Sequence, residues 1–297
     1  MPKADSPSTL HVSVIVPVYN HWELIPSLMA KLERQTLPSD RFEILVVDNG
    51  SDDVPAAPPL PGNARLLHCP TPGSYAARNR AIDEAEGQVL AFTDADCLPT
   101  AEWLETGLKR IEQHPDPEVI VAGGVRMVAR DPDNPTPYEL YDMALGIPQQ
   151  RYVQRGYAVT ANLFVPRAVF DLAGRFDATR FSGGDAEFCR RAVSLGAALE
   201  YDGAALVEHP ARSDWQELAG KARRVKGGQI MAGPIGRRML WLGRTCLPPV
   251  RAWRRAFAAP DLSVGQKLVA SLVQTRLWGV ELVETLLLIL RIRSPRR

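Results

Sequence analysis

Apolar residues follow two alternating spacings through the first 128 residues of the chain. Two β-branched runs, Val12–Val18 and residues 42–47, are too short for helices and are typical of buried parallel strands. Between them Leu24, Leu28 and Leu32 recur at helical spacing. Further strands are predicted at 65–68, 88–93 and 119–128, and further helices at 74–86 and 101–113. Strands that alternate with helices predict right-handed βαβ units and a mostly parallel sheet, so the fold class is α/β.

The pattern changes after residue 128. A stretch at 131–148 that is rich in proline and aspartate predicts a surface loop before a short helix. Extended segments are predicted at 157–165 and 199–208, on either side of a helix at 183–196. From Ser213 onward only helices are predicted, with breaks at Gly227-Gly228, Gly233-Pro234, Pro248-Pro249 and Pro260. We therefore expect one α/β domain at 10–212 and a helical extension at 213–297.

Composition changes this picture mainly through the distribution of charge. Of 297 residues, 45% are hydrophobic and 23% charged, as in ordinary soluble proteins, and the four cysteines are too dispersed for a zinc ribbon or a disulfide framework. The net charge of +1 hides an asymmetry, because residues 1–211 hold 18 Lys+Arg and 29 Asp+Glu, whereas residues 212–297 hold 17 and 5. A basic extension suggests an anionic membrane, a nucleic acid or the acidic domain itself as its partner. Residues 1–10 show no apolar signal segment, so a cytoplasmic location is expected.

Carboxylates stand at the ends of two predicted strands. Asp48 follows the second strand, and Asp94 and Asp96 follow the strand that ends at Thr93. In open α/β sheets, ligands bind beyond the carboxyl ends of the strands. A D-x-D sequence there suits a hard cation that bridges a diphosphate, and ordinary turn chemistry is the alternative. The P-loop, dinucleotide, zincin and α/β-hydrolase signatures are missing from the sequence.

Three further polar residues allow two interpretations each. Asp185 stands at the start of the helix predicted at 183–196, where it is either a helix cap or a general base for an acceptor hydroxyl. His209 is either a satisfied polar residue at a strand end or a functional ligand. Arg78 is either a solvated charge on its helix or part of the site.

Five segments occur in the order and spacing of one family. They are residues 14–20, 46–51, 77–79, 92–96 and 184–187. Together they resemble the family-two inverting glycosyltransferases, over roughly residues 12–210. The resemblance implies a GT-A fold, with a nucleotide-binding half at 10–128 and an acceptor and base half at 129–212.

The resemblance also implies roles for individual residues. The donor nucleotide would be held by six of them: Pro17, Tyr19, Asp48, Asn49, Arg78 and Asp94. Asp94 would contact the ribose, and uridine is the favoured base. Asp96 would bind Mn²⁺ or Mg²⁺, with His209 as a weaker second ligand. Asp185 would be the catalytic base.

The sequence departs from the family pattern at three places. Asn49 replaces a second acid at the nucleotide turn, and Gly184 stands where glutamate is frequent. The Q-x-x-R-W motif of processive synthases is missing, since residues 223–226 lack its tryptophan. We therefore expect metal-dependent, inverting transfer of a single sugar from a nucleotide sugar to an acceptor hydroxyl, in cell-surface polysaccharide or glycolipid synthesis. A non-catalytic relative that binds nucleotide sugars or glycans is the alternative.

The helical extension is expected to meet a membrane. Residues 215–260 hold ten Lys+Arg against Glu217 alone, which suits an anionic lipid face. A nucleic-acid partner is not expected, because a binding motif is missing from this segment.

The last predicted helix, at residues 262–292, is apolar but interrupted by charges and is too short in its uncharged runs to span a bilayer. Polar residues at heptad spacing predict one stripe opposite a wide apolar face: Lys267, Gln274 and Glu281, and Glu284 and Arg291. We expect this helix to lie peripherally on the inner face of the membrane and to bring the site to a lipid-linked acceptor, with a soluble sugar or other small molecule as another acceptor class. Packing on the α/β domain, or on a second copy in a homodimer, is the alternative.

Overall fold

The computed structural model describes residues 11–180, 182–231 and 235–292, and within these residues the chain forms eight strands and eleven α-helices. The strands are β1 (Val12–Val18), β2 (Phe42–Asp48), β3 (Ala64–His68), β4 (Val89–Thr93), β5 (Leu98–Pro99), β6 (Val119–Val128), β7 (Asn162–Pro166) and β8 (Ala198–Pro210). The helices are α1 (Ile25–Leu32), α2 (Ser74–Glu84), α3 (Trp103–Glu112), α4 (Pro137–Leu145), α5 (Gln149–Val153), α6 (Arg167–Ala173), α7 (Gly184–Ser194), α8 (Trp215–Met231), α9 (Ile235–Cys246), α10 (Val250–Phe257) and α11 (Val264–Ile289).

All eight strands belong to one sheet, in the order β3-β2-β1-β4-β7-β6-β8-β5. β1 is parallel to β2 and to β4, and β2 is parallel to β3. Every residue of β2 and of β4 is buried, as in a sheet covered on both faces, and the one charged residue inside β2, Glu43, accepts from the buried Ser13 hydroxyl at 2.7 Å. β7 runs antiparallel to both β4 and β6. The predicted α/β class with a mostly parallel sheet is confirmed.

A buried asparagine joins four elements in the middle of the sheet. Asn162 begins β7, opposite Thr93 of β4, and is fully buried. Its amide donates to the carbonyls of Gly124 (2.7 Å) and Ala205 (2.8 Å), and its Oδ1 accepts from the Trp103 indole at 2.8 Å. Every hydrogen-bonding atom of this side chain is therefore used, as a buried amide requires.

The chain divides into two compact units. The first unit holds residues 11–125, 149–178 and 185–207 and contains most of the sheet. The second unit holds residues 126–148, 179–184 and those from 208 onward, so that α4 groups with the C-terminal helices. In the second unit α11 packs against α4, α8, α9 and α10. Its core consists of two clusters, Leu145 with Ala256 and Ala270, and Leu218 with Val273 and Leu277.

The helix breaks of the second unit agree with the sequence pattern at two places. Breaks at Pro248-Pro249 and Pro260 are confirmed, and Gly233-Pro234 lies outside the described residues. The predicted break at Gly227-Gly228 is wrong, because α8 continues through both glycines. Two glycines cost about 1 kcal/mol each in a helix interior. Packing of α8 on α9 and α11 outweighs that cost, and the buried Lys226 ammonium binds the Thr245 hydroxyl at 2.9 Å.

Part of the predicted polar stripe of α11 faces the interior of the second unit, whereas Lys267 is only partly buried and Arg291 is exposed beyond the end of the helix. Gln274 and Glu284 are buried, and Gln274 Oε1 accepts from the Tyr141 hydroxyl at 3.3 Å. Glu281 pairs with Lys226 at 3.1 Å. The polar face of this helix therefore packs on α8 and on Tyr141 of α4 within the second unit, and its association with a membrane or a second copy stays a prediction. In the described part of the chain, no helix combines the length and the apolar character needed to cross a bilayer.

Candidate active site

The carboxyl ends of β1 and β2 lie side by side, because Val18 and Asp48 are in register. The Asp48 carboxylate is buried and accepts from the indole N–H of Trp22 (3.3 Å) and the backbone N–H of Gly50 (3.1 Å). Asp48 therefore shapes the turn after β2 in addition to carrying a charge at the edge of the sheet.

Asn49 fastens the loop that precedes α2. Its amide nitrogen donates to the carbonyls of Cys69 (2.9 Å) and Thr71 (2.7 Å), and its Oδ1 accepts from the backbone N–H of Gly73 at 2.7 Å. Gly73 has a φ of 124°, a conformation that favours glycine. A carboxylate has no hydrogen to donate to two carbonyls. This loop therefore accounts for an asparagine where the family pattern has a second acid.

The loops after β1 and β2 are tied together. Asn20 has a positive φ of 55°, its backbone N–H donates to Ser51 Oγ (2.9 Å), and its amide exchanges two hydrogen bonds with Asp52 (2.8 and 2.9 Å). Pro17 lies opposite Val47 in the ladder and is partly exposed. The neighbouring Tyr19 ring is 57% exposed. Its face is thus available to stack on a planar base.

Arg78 and Asp94 form a close ion pair behind the end of β4. The guanidinium Nη2 lies 2.6 Å from Asp94 Oδ1, and Arg78 is buried whereas the Asp94 side chain is 35% exposed. The Arg78 guanidinium also lies 5.6 Å from the Tyr75 ring centre. The solvated-charge interpretation of Arg78 is therefore wrong, because α2 turns this side chain into the protein.

Asp96 supplies the second carboxylate of the D-x-D sequence. It is partly exposed just beyond β4, and its Oδ1 lies 4.0 Å from the Cys97 thiol. Hard divalent cations bind through carboxylate oxygen, which Asp96 offers just beyond the end of β4. Its role as a ligand for Mn²⁺ or Mg²⁺ stays a prediction.

Asp185 is the second residue of α7 and is only 9% exposed. One carboxylate oxygen accepts from the Ala186 N–H at 2.8 Å, and the nearby Tyr75 hydroxyl and Thr160 backbone N–H favour the ionised form of this carboxyl and so lower its pKa. Burial raises the pKa of Asp185, although these donors and the charge of Arg78 favour the ionised form. An N-cap accepts from the N–H two or three residues on, whereas Asp185 lies inside α7 and accepts from the next residue, so this bond is not that of a cap. The raised pKa of Asp185 fits the base interpretation.

His209 lies in the second unit, near the end of β8. The ring is buried, and its Nδ1 lies 2.9 Å from the carbonyl oxygen of Pro210. Imidazole nitrogen is a common ligand of transition metals, and the role of His209 as a metal ligand stays a prediction.

Sequence reasoning missed several residues that shape the site. Tyr75 of α2 lies near Asp185 and influences its pKa. In the sequence it is one aromatic residue in an alanine-rich helix, and nothing around it indicates a functional role. The Trp22 indole N–H donates to Asp48, and the Thr160 backbone N–H lies near Asp185 and lowers its pKa. Asn20 offered a signal, because asparagine directly after a strand is a common residue at positive φ.

Two solved structures share the fold described above. A mannosyltransferase, PcManGT from Pyrobaculum calidifontis in complex with GDP-Man and Mn²⁺, is 20% identical with a TM-score of 0.60, covering 99% of this chain and 92% of its own. S. aureus TarS 1-349 in complex with UDP is 17% identical with a TM-score of 0.53, covering 97% and 93%. Such low identities show the fold alone, which is that of the GT-A glycosyltransferases.

The chain belongs to glycosyl transferase family 2, whose sequence pattern matches residues 13–182. Glycosyltransferase AglE of Haloferax volcanii is 36% identical over 233 residues, which cover 76% of this chain and 75% of AglE. The expected family and the GT-A fold are confirmed. The protein is therefore a glycosyltransferase that transfers sugar from a nucleotide-sugar donor in glycan synthesis.

Proposed function

We propose that the protein catalyses metal-dependent, inverting transfer of a single sugar from a nucleotide sugar to an acceptor hydroxyl. The observation that carries this proposal is the environment of Asp185, a buried carboxylate with a raised pKa that is held by Tyr75 and lies within the electrostatic reach of Arg78. A general base works best when its pKa lies close to the operating pH, and burial moves Asp185 in that direction.

Asp185 accepts the proton of the acceptor hydroxyl as that oxygen attacks the anomeric carbon. The attack comes from the face opposite the leaving diphosphate, so the configuration of the anomeric carbon inverts. The Ala186 N–H donates to a carboxylate oxygen and helps to fix its position, and the nearby Tyr75 hydroxyl favours the ionised form before the attack. The raised pKa then favours transfer of the proton to Asp185.

Tyr19, Asp48, Asn49 and Arg78, with Pro17 and Asp94, bind the donor nucleotide. The exposed Tyr19 ring stacks on the base, for which uridine is our choice, and Asp94 accepts from the ribose hydroxyls while Arg78 orients it. Asn49 acts through the loop that it fastens ahead of α2.

Asp96 would hold Mn²⁺ or Mg²⁺, with His209 as a second candidate ligand. When bound there, such an ion would supply positive charge that stabilises the leaving diphosphate. Asp94 remains with Arg78, so the two carboxylates of the D-x-D sequence have different tasks.

The acceptor is a lipid-linked sugar at the inner face of a membrane, and the product is part of a cell-surface polysaccharide or glycolipid. Residues 215–260 carry ten Lys+Arg against one acidic residue, which supports an anionic surface as the place of work. The absence of the processive Q-x-x-R-W motif from the sequence supports transfer of one sugar.

A donor screen tests the reaction. Nucleotide release is measured for a set of nucleotide sugars with Mn²⁺, Mg²⁺ or chelator, and with soluble and lipid-linked acceptors. We expect release that needs acceptor and metal, and an Asp185→Asn variant that binds donor without release. Donor binding without release for every acceptor would instead favour a non-catalytic relative.

A further inference from the structure

Helix α11 buries polar residues on the face that also carries Val273 and Leu277, and it exposes several leucines on its other face. Gln274 and Glu284 are buried in the second unit, and Glu281 is paired with the buried Lys226. Leu268, Leu272 and Leu286 fall on the opposite stripe, and each is more than half exposed. The exposed face of a helix in water is usually polar. Helices in contact with lipid keep their polar groups towards their neighbours, as α11 does.

Helix α9 presents a second apolar face. Ile235, Met239 and Leu240 are all more than half exposed. Arg237 and Arg244 are exposed and stand seven residues apart, which places them on one line beside this face. Apolar residues bordered by arginines are typical of a helix that lies in the plane of a membrane interface.

We infer that these six residues form a surface that docks on an anionic lipid leaflet. The docking surface consists of Ile235, Met239, Leu240, Leu268, Leu272 and Leu286. Charge selects lipid over a second copy of the chain, because residues 212–297 hold 17 Lys+Arg and only 5 Asp+Glu, so two such extensions repel each other. An anionic leaflet attracts the same charges. The inference rests on the proposed function in one respect, since docking on a leaflet would bring the active site to a lipid-linked acceptor.

Vesicle flotation of the full-length protein tests the docking surface. The vesicles are phosphatidylcholine alone or with phosphatidylglycerol, at low and high salt. We expect flotation with the anionic vesicles at low salt and weaker flotation at high salt. Two double variants, Met239→Glu/Leu240→Glu on α9 and Leu272→Glu/Leu286→Glu on α11, each lower the partition coefficient about tenfold or more, because carboxylates replace apolar contacts. Arg237→Gln/Arg244→Gln weakens binding to the anionic vesicles and reduces its dependence on salt.

Leu195→Glu is the matched control, since Leu195 is more than half exposed in the first unit and outside the docking surface. This control should float like the unchanged protein. Failure of the unchanged protein to float at low salt, or unchanged flotation of both double variants, overturns the inference. If the unchanged protein does not float and light scattering shows a dimer that the α11 double variant dissociates, the surface binds a second copy of the chain instead.

Turnover with a soluble acceptor separates this inference from the proposed function. All variants should retain it, because none touches the candidate active site. Lost flotation with retained turnover supports docking, whereas flotation without any turnover in the unchanged protein would count against the proposed function alone.

Discussion

Replacing Arg78 by methionine removes the guanidinium that lies 2.6 Å from the Asp94 carboxylate. A hydrogen bond to a charged group contributes about 1.5–3 kcal/mol, and removing one partner of a fully buried ion pair costs about 3–5 kcal/mol. Because 35% of the Asp94 side chain is exposed, solvent screens the charge that remains and the lower range applies. We expect Arg78→Met to lower the free energy of unfolding by about 2 kcal/mol.

Urea unfolding at pH 7 measures this difference, with Arg78→Lys as a control that keeps the charge and loses the planar fork. A second readout is the acid limb of kcat against pH. The charge of Arg78 favours ionised Asp185, so its loss raises the pKa of Asp185 and moves the acid limb to higher pH in the methionine variant. A methionine variant within about 0.5 kcal/mol of the unchanged protein, with the acid limb in place, would refute the reasoning.

Four further substitutions test other parts of the site and fold. Asp185→Asn should reduce kcat about 10²–10⁴-fold at unchanged donor affinity, and unchanged kcat would contradict the role of Asp185 as the base. Burial raises the folded-state pKa of Asp185 above its unfolded value. The contribution of Asp185 to stability is therefore full at low pH and is lost as the pH rises through the folded pKa. Urea unfolding of the asparagine variant should not show this decline. Asp96→Ala should abolish metal-dependent donor binding in calorimetry and Asp94→Ala should weaken it less, so full activity of Asp96→Ala at low metal would contradict the ligand assignment. Asn162→Leu leaves the Trp103 N–H and two carbonyls without their partner and should cost about 3 kcal/mol or more in urea unfolding, whereas a loss below about 1 kcal/mol would mean that these groups find other partners.

The parallel half of the sheet could be predicted because its strands are buried on both faces. Val12–Val18 and Phe42–Asp48 are rich in β-branched residues, which is typical of strands that are covered on both faces. The direction of β7 could not be predicted, because periodicity records which face is buried and not which neighbour a strand pairs with. For the same reason the stripe on α11 could be identified from heptad spacing, although its burial could not.

The candidate site divides in a similar way. Three site residues lie at or next to the ends of strands and helices: Asp48, Asp94 and Asp185. Turn residues and changes in the spacing of apolar residues allow such ends to be predicted from the sequence. The contact of Tyr75 with Asp185 joins residues that are distant in the chain, so no local pattern contains it. The two amide donations of Asn49 depend on where the loop before α2 returns, which only the tertiary structure determines.

The configuration of the product at its anomeric carbon tests the central claim most directly. Once the donor screen has identified a turned-over nucleotide sugar, proton NMR of the first product formed reports whether the new glycosidic bond has the opposite configuration to the donor. With Asp185 as the single base and direct attack by the acceptor, we predict inversion in the earliest product and loss of that product in Asp185→Asn. A product that retains the configuration of the donor would contradict the account, because retention requires a mechanism other than one direct displacement assisted by Asp185.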